Sequence, residues 1–460
     1  MPERPKLAVV CFLPDAGHVL PLLRLGRMFA EAGWQVSCYV AEEFDSIVKD
    51  YGLGFRPIRL GSRDALTRTA RMLSGRSIFY NAFSNYMDLY DFYWIPLRGK
   101  VSRELAAVAH DLEAMRPECL LCDSHEFLDW YERLARCCGA RLIVNRSDGT
   151  LRRSQRRFIQ AYGYSGHTAT LQGLVELSGR LSEWGHRLWR VLAQRARRRA
   201  AIAETAAATE NARLVFAGRA ASETKRTQIV SGLAVLERQL ADEVAAPESP
   251  RELLLAPPIA YEPTPLSAEL EAWLAGRKPA GVIYMSFGTM VVLSDSTIAE
   301  LLLGLASVGT SVIWSLPASQ RPVLQKHALP ESFRVEQFVP QKALLASGTV
   351  RCFITHGGSN SCQEAAAFGV PVLGVPFMWD QPYNCSLLAR LGMARVLPKG
   401  RVTRDRVSTE VLELLNNPRY AQSARRWASG LEALYESAPQ RQLRRELVGQ
   451  PALDRETTGQ

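Results

Sequence analysis

The chain has 460 residues, of which 47% are hydrophobic and 22% charged, as expected for a soluble globular protein with room for two domains. Much of its formal net charge of +10 is arginine in helical stretches, and no nucleic-acid-binding motif accompanies it. We therefore expect solvated helix faces and an anionic small-molecule ligand, and no nucleic acid. No apolar run is long enough to span a bilayer, and Asp15 and His18 interrupt the short apolar segment near the N-terminus. We therefore expect no secretory signal and a cytoplasmic location.

The cysteines fit the same compartment. There are nine, an odd number, and they are scattered through apolar stretches, as in reduced cytosolic proteins. Cys119 and Cys122 form a CxxC pair inside the strand-like run ECLLCD, without a second pair. A zinc or redox role is one interpretation, but core thiols are favoured. Cys362 and Cys385 are also interpreted as packing residues.

Strands and helices alternate along the first half of the chain. The strand KLAVVCF is followed by the loop LPDAG and by a helical pattern, HVLPLLRLGRMFAEAG, that stops at Gly33. QVSCYV is the next strand, and RPECLLCD and ARLIVN are strands on either side of the helix ERLARCCG. This alternation predicts a parallel sheet with helices on both faces.

The second half repeats this order after a proline-rich segment. Residues 246–280 are interpreted as an irregular linker between domains at 1–245 and 281–443. GVIYMSF, TSVIWSL, VRCFITH and PVLGVP are strands, and the helices lie near TIAELLLGLAS, QKALLAS, SCQEAAAFG and QPYNCSLLARLG. Residues 444–460 are predicted to be a polar, frayed tail. The prediction is an α/β protein with two doubly wound, Rossmann-like domains and a ligand cleft at the carboxyl ends of the strands.

The stretch THGGSNSCQEAAAFG, residues 355–369, joins a strand to a helix through small polar residues. Such a turn exposes backbone N–H groups that can hold a phosphate. It lacks the lysine of a Walker-type loop and the spaced glycines of a dinucleotide fingerprint.

In context, the stretch belongs to a longer pattern. From Phe338 to Gln381 the chain reads FVPQKALLASGTVRCFITHGGSNSCQEAAAFGVPVLGVPFMWDQ, which resembles the donor-binding signature of the UDP-glycosyltransferase superfamily in residue type and spacing, and Asn384 continues it. GHVLPLLRLGRMFAEAGWQV near the N-terminus resembles the first strand–helix unit of the same family. The resemblance implies a GT-B fold, in which residues 1–245 bind an acceptor and residues 281–443 bind a nucleotide sugar across a cleft.

The donor site is expected from this resemblance and from the chemistry of its residues. Gly357 and Gly358 would let a phosphate approach the backbone, and the helix start would attract the diphosphate. Glu364 would accept ribose hydroxyls, and Phe338 would face the base. The predicted donor-binding residues are Gly288, Thr289, Phe338, Val339, Gln341, His356, Gly358, Ser359, Asn360, Ser361, Glu364, Asp380 and Gln381.

Two departures from the family pattern bear on the base. Phe338 stands where plant members usually have Trp, and Ser347-Gly348 stands where many have a histidine or an acid. UDP and dTDP donors are both open, and Glu364 favours UDP because it can satisfy a full ribose.

The catalytic residues are expected on the first domain. His18 matches the family's base, and its ordinary pKa of about 6.5 suits proton abstraction at neutral pH. Asp123 matches the partner that orients it. His125 and Asp15 are weaker candidates. No Asp-x-Asp pair is present, so we expect neither a divalent metal nor a cofactor, and direct displacement implies inversion at the anomeric carbon.

The acceptor is the least specified part. The aromatic segment 78–95 is interpreted either as core helix or as a pocket wall. Four of its aromatic residues do not fall on the helical stripe, and we predict that they contact an apolar acceptor: Tyr80, Phe92, Tyr93 and Trp94.

The arginine- and alanine-rich composition suggests bacterial natural-product, including antibiotic, biosynthesis. One alternative is a glycolipid-forming transferase with the basic stretch near 184–200 at a membrane. Others are a non-catalytic sugar-nucleotide-binding helper, which His18 and Asp123 argue against, and an epimerase or phosphorylase, which Asp380 and Gln381 argue against.

Overall fold

The computed structural model describes residues 3–60, 95–123, 127–146, 195–217, 225–231, 235, 252–256, 265–277, 280–327, 329–377 and 380–449. Within these ranges no helix is both long enough and apolar enough to cross a membrane.

The first domain is built on a seven-stranded parallel sheet. Its strands are β1 (Lys6–Val10), β2 (Gln35–Ala41), β3 (Gly54–Ile58), β4 (Cys119–Asp123), β5 (Arg141–Arg146), β6 (Arg226–Val230) and β7 (Glu252–Leu254). The strand order is β3-β2-β1-β4-β5-β6-β7. The central strand β1 is apolar from Leu7 to Val10 and fully buried there, as expected for a parallel strand covered on both faces.

Helices flank this sheet. They are α1 (Ala16–Glu31), α2 (Asp45–Asp50), α3 (Ile95–Met115), α4 (Leu128–Cys138) and α5 (Arg195–Phe216). Helix α4 ends at Gly139, whose φ of 72° is in the left-handed region that favours glycine at a helix C-terminus.

The second domain carries a six-stranded parallel sheet. Its strands are β8 (Val282–Ser286), β9 (Ser311–Ser315), β10 (Phe333–Glu336), β11 (Val350–Thr355), β12 (Val372–Gly374) and β13 (Ala394–Val396), in the order β10-β9-β8-β11-β12-β13. Its helices are α6 (Ala268–Ala275), α7 (Asp295–Ala306), α8 (Gln341–Ala346), α9 (Ser359–Ala367), α10 (Gln381–Arg390), α11 (Arg404–Asn416) and α12 (Pro418–Tyr435). A last helix, α13 (Ala438–Val448), follows. The two doubly wound α/β domains predicted from the sequence are confirmed.

The proline-rich segment is more regular than predicted. Residues 246–280 were expected to be an irregular linker, but β7 lies within them and pairs in parallel with β6 of the first sheet. Helix α6 also lies within them, and its Leu270 and Leu274 are buried in the core of the second domain. Prolines at other positions of the segment leave these two short elements free to form.

The polar tail was predicted to begin at residue 444, which is too early. Residues 444–448 belong to α13, and Leu447 and Val448 are buried in the core of the first domain. The Arg141 guanidinium donates to the Leu447 carbonyl at 2.7 Å. The chain therefore returns from the second domain to the first at α13.

Each sheet reverses its strand order at one place, where crevices for ligands form in such folds. In the first sheet β1 and β4 are neighbours at this point, and in the second sheet β8 and β11 are. Asp123 is the last residue of β4, Gly288 and His356 follow β8 and β11 closely, and His18 lies in the first turn of the helix after β1. The topology thus places the two halves of the candidate site.

Candidate active site

His18 and Asp123 meet at the reversal point of the first sheet. His18 lies in the first turn of α1, after β1, and Asp123 is the last residue of β4. The His18 Nδ1 and Asp123 Oδ2 atoms are 3.2 Å apart, and the side chains are 24% and 6% exposed. Neither carboxylate oxygen has an aligned hydrogen-bond donor within the described residues, so the two side chains are close but not ideally oriented.

The loop between β1 and α1, which leads to His18, is held in place by aromatic packing. The Phe12 backbone N–H donates to the Tyr131 hydroxyl at 2.8 Å, and the two rings are stacked with centroids 4.9 Å apart. Phe127 packs edge-on against Phe12 at 5.6 Å. These buried contacts fix the end of β1 against α4, next to Asp123.

His356 follows β11 at the reversal point of the second sheet, and its ring lies between two glycines. A Cβ atom on Gly288 would lie 2.7 Å from His356 Cε1, and one on Gly358 would lie 2.5 Å from Nε2. Gly357, with a φ of 84°, faces Cys385, whose Sγ would be 2.3 Å from an added Cβ. The glycines therefore make room for the histidine ring and the thiol, a steric role that the phosphate-binding motif alone did not reveal.

Burial keeps His356 neutral. Loss of solvent lowers the pKa of its imidazole from 6.5 to about 4. Thr355 Oγ1 lies 3.3 Å from Nδ1, and the same oxygen accepts from the Gly357 N–H at 3.4 Å. The neutral ring carries one proton, so it has one nitrogen that donates and one that accepts. His356 can therefore offer a hydrogen bond but brings no positive charge.

Glu364 is buried on α9 with its carboxylate held from two sides. Gln341 Nε2 donates to Glu364 Oε2 at 2.8 Å and also lies 3.2 Å from Ser361 Oγ. The Tyr284 hydroxyl donates to Gln341 Oε1 at 3.3 Å, which anchors the amide to β8. Gln341 was predicted to bind the donor, and in the structure its amide contacts Glu364.

The remaining donor-site residues divide into exposed and buried groups. Phe338 has 71% of its surface exposed, the most of any large apolar side chain in the described ranges, and Gly288 and Thr289 are also exposed. Val339 is buried in the core of the second domain, so its side chain has no ligand-facing surface. Ser359 and Asn360, at the start of α9, are half-buried.

Asp380 and Gln381 lie at the start of α10. Asp380 Oδ2 accepts from Asn384 Nδ2 at 2.7 Å, and the same amide donates to the Gly357 carbonyl at 2.9 Å. Gln381 Oε1 accepts from the Phe377 N–H at 2.9 Å, and only 3% of Gln381 is exposed. Asn384 therefore links Asp380, at the start of α10, to Gly357 in the turn after β11.

Comparison with known proteins shows what the region around this site is similar to. Residues 249–442 match the family model described as UDP-glucoronosyl and UDP-glucosyl transferase (UDPGT). The match covers less than half of the chain, but it includes the second sheet and every described donor-site residue named above.

Curated relatives match the same region. UDP-glycosyltransferase 74C1 of Arabidopsis thaliana is 31% identical over 156 residues, which are 32% of this chain and 34% of that protein. Gallate 1-beta-glucosyltransferase of Quercus robur is 33% identical over 35% of this chain and 36% of its own length. The mouse 2-hydroxyacylsphingosine 1-beta-galactosyltransferase is 28% identical over 43% of this chain and 36% of its own. The chain thus matches about a third of the length of these relatives.

Solved structures extend the likeness to both domains. The spinosyn forosaminyltransferase SpnP superposes with a TM-score of 0.61 at 20% identity, covering 96% of this chain and 98% of that one. Os79 from O. sativa, solved with UDP, superposes with a TM-score of 0.63 at 20% identity, covering 96% and 99%. The fold is therefore GT-B, as the sequence resemblance implied.

One residue at the edge of this site comes from the first domain and was not predicted. Arg24 on α1 is 3% exposed, and its Nη2 donates to Glu364 Oε1 at 2.5 Å. Its Nη1 lies 3.4 Å from Asn360 Oδ1, and the Asn360 amide donates to the Ala16 carbonyl at 3.4 Å. The signal in the sequence was an arginine inside the apolar run PLLRLG, which helical periodicity assigns to a buried face.

Some predicted residues lie outside the described ranges. These are the acceptor candidates Tyr80, Phe92, Tyr93 and Trp94, the alternative catalytic residue His125, and the part of the basic stretch before residue 195. Among the residues that are described, no group of three or more His, Cys, Asp or Glu side chains could hold a metal ion, and metal independence stays a prediction.

Proposed function

We propose that the chain is a glycosyltransferase that moves a sugar from a UDP-sugar to a hydroxyl of a small apolar acceptor, with inversion and without a metal or cofactor. The observation that carries this proposal is the pairing of His18 with Asp123 on one face of the cleft, opposite the UDPGT-family residues on the other. The contacts of Arg24 with Glu364 and of Asn360 with Ala16 bring the two faces together.

The reaction needs a base and a stabilised leaving group. His18 Nδ1 faces Asp123, so Nε2 is the nitrogen left to take the proton of the acceptor hydroxyl. The acceptor oxygen forms a bond to the anomeric carbon as the bond from that carbon to the diphosphate breaks, and UDP leaves. Asp123 stabilises the imidazolium that forms. A single displacement inverts the anomeric configuration.

The donor is held by the second domain. The N–H groups at the start of α9 and the N–H of the neutral His356 ring offer hydrogen bonds to the diphosphate. The Glu364 carboxylate accepts from ribose hydroxyls, which favours UDP over a deoxyribose donor, and exposed Phe338 offers a stacking face for the base. Asp380 accepts from hydroxyls of the sugar.

Fewer observations support the class of the acceptor. One relative is named for gallate and one structural neighbour for spinosyn. They support a small, ring-containing acceptor and a role in natural-product, including antibiotic, biosynthesis. The mouse relative, named for an acylsphingosine, supports a lipid acceptor as the second candidate. Pelleting with liposomes separates the two, because only the lipid reading expects the chain to bind membranes.

The test is transfer itself. The wild-type chain is incubated with UDP-sugars and phenolic or macrolide-type acceptors, and the product's anomeric configuration is read by NMR. His18→Ala should lower kcat by about 10²–10⁴-fold, the usual contribution of a general base, and should leave the Kd for UDP unchanged. The matched control is His110→Ala, an exposed histidine on α3. Normal turnover in the His18 variant would remove the assigned base, and a retained anomeric configuration would remove direct displacement.

A further inference from the structure

Arg24 occupies an unusual place for a charged residue. It lies on α1 of the first domain, yet its side chain is 97% buried against the second domain, where it pairs with the equally buried Glu364. Burying a guanidinium is costly unless partners satisfy it. The charge is therefore held at the domain boundary by specific contacts rather than by exposure to solvent.

Both oxygens of the Glu364 carboxylate accept hydrogen bonds from protein side chains. One carboxylate oxygen accepts from Arg24 and the other from Gln341, so the group expected to bind ribose hydroxyls already has two partners. A donor whose ribose takes Glu364 must displace the Arg24 contact. The guanidinium would then be buried without its counter-charge, which the cleft has to compensate with another anion.

A diphosphate supplies that anion. Arg24 Nη1 already lies 3.4 Å from the Asn360 side chain, at the helix start expected to hold the diphosphate, and Arg24 Nε has no hydrogen-bond acceptor among the described residues. His356, the other side chain at this turn, is neutral because burial lowers its pKa to about 4. A positive charge for the leaving group therefore has to come from elsewhere.

We propose that Arg24 is a donor-binding residue that exchanges partners: it pairs with Glu364, as in this structure, and releases it to pair with the diphosphate when a nucleotide sugar binds. This rests on the proposed function, because it requires a nucleoside diphosphate donor. It adds a residue of the first domain to the donor site and makes closure of the two domains a condition for stabilising the leaving group.

Calorimetry with two ligands tests the exchange. UDP carries both the ribose and the diphosphate, whereas uridine carries only the ribose. Arg24→Gln should weaken UDP binding about ten- to hundredfold, as expected for losing charge-assisted hydrogen bonds. The same variant should bind uridine more tightly than the wild type, because no ion pair has to be broken. Opposite signs for the two ligands are the diagnostic result.

The controls separate the possible outcomes. Arg27→Gln, on the same helix but pairing with Glu31 and one-third exposed, should change neither affinity. If Arg24→Gln shifts both ligands in the same direction, or neither, Arg24 is a structural contact and the proposal is wrong. A wild-type chain that binds no UDP overturns the proposed function and the partner exchange with it.

A second variant covers the case in which Arg24→Gln does not fold. Glu364→Gln keeps the shape of the side chain and removes only its charge, so the guanidinium loses its resident partner. Inorganic pyrophosphate should then bind several-fold more tightly than to the wild type, while uridine binds more weakly. Unchanged pyrophosphate affinity in a folded Glu364→Gln variant would overturn the exchange.

Discussion

His356 shows how the second domain sets the charge of a single side chain. The ring is enclosed by Gly288 and Gly358, and burial lowers its pKa from 6.5 to about 4. A histidine with a lower pKa when folded binds fewer protons than in the unfolded chain between these two pH values. The free energy of unfolding therefore falls as the pH drops from about 6.5 to 4, and it is unaffected by this group above that window.

This gives a prediction for stability against pH. Relative to His356→Gln, the wild type should lose roughly 3 kcal/mol of unfolding free energy between pH 6.5 and pH 4. Denaturant titrations at several pH values measure the difference. His110→Gln, which changes an exposed histidine, should follow the wild type. Parallel pH profiles for wild type and His356→Gln would show that His356 is not buried in its neutral form.

Gly357 allows a prediction about the turn after β11. An alanine there would adopt a φ of 84° and place its Cβ 2.3 Å from Cys385 Sγ and 2.9 Å from the Gln381 carbonyl oxygen. The left-handed backbone costs about 1–2 kcal/mol and overpacking about 1–3 kcal/mol, so Gly357→Ala should destabilise the second domain by roughly 2–5 kcal/mol. Denaturant unfolding measures this loss.

The matched control isolates the steric part. Gly348 has a φ of 71° and no atom within 4 Å of an added Cβ, so Gly348→Ala should show only the backbone cost of about 1–2 kcal/mol. Equal losses at the two glycines would mean that the close approach of Cys385 has no energetic consequence.

Among the elements, α13 has the most unexpected position. It follows the second domain in sequence, but Leu447 is 2% exposed in the core of the first. Leu447→Ala should therefore destabilise the first domain by about 2–5 kcal/mol, as for other buried leucines. Leu412→Ala on α11, where the side chain is 39% exposed, should cost far less. Domain-resolved hydrogen exchange measures both, and a loss confined to the second domain in Leu447→Ala would contradict the packing.

The sequence predicted the elements whose pattern is local. Long apolar runs such as those of β1 and β11, and the turn from β11 to α9, carry their own signals. Strands of three or four residues such as β7, β10 and β13 contain too few positions to show a period. The end of α13, residues 444–448, was predicted to be polar tail because its partners, such as Arg141, lie about three hundred residues earlier.

The site was predictable to the same extent. Residues in the donor motif could be named because their spacing resembles a known family, and His18 and Asp123 because they match that family's base and its partner. Arg24 was not named, because an arginine on a helix is normally solvated. The apolar run around it indicates a buried face, but nothing local shows that the second domain is what covers it. The contact of Gln341 with Glu364 was missed for a similar reason, since the two residues lie on different helices.

At the scale of the whole molecule, the electrostatic account of the cleft predicts the effect of chelation. Hydrogen-bond donors at the start of α9, together with Arg24, are proposed to stabilise the diphosphate without a divalent ion. Transfer from a UDP-sugar should therefore be unchanged after dialysis against EDTA, measured as kcat/KM before and after. Activity lost on chelation and restored by magnesium or manganese would contradict this.

The return of α13 also constrains how the two domains can move. The chain passes to the second domain between β7 and α6 and comes back between α12 and α13, and the Ala256 N–H donates to Gln440 Oε1 at 3.0 Å where the outgoing and returning segments run side by side. The two domains are therefore joined by two stretches of chain, and this hydrogen bond links one stretch to the other. A displacement of one domain has to be accommodated by both stretches at once, which is a stronger constraint than a single linker would impose.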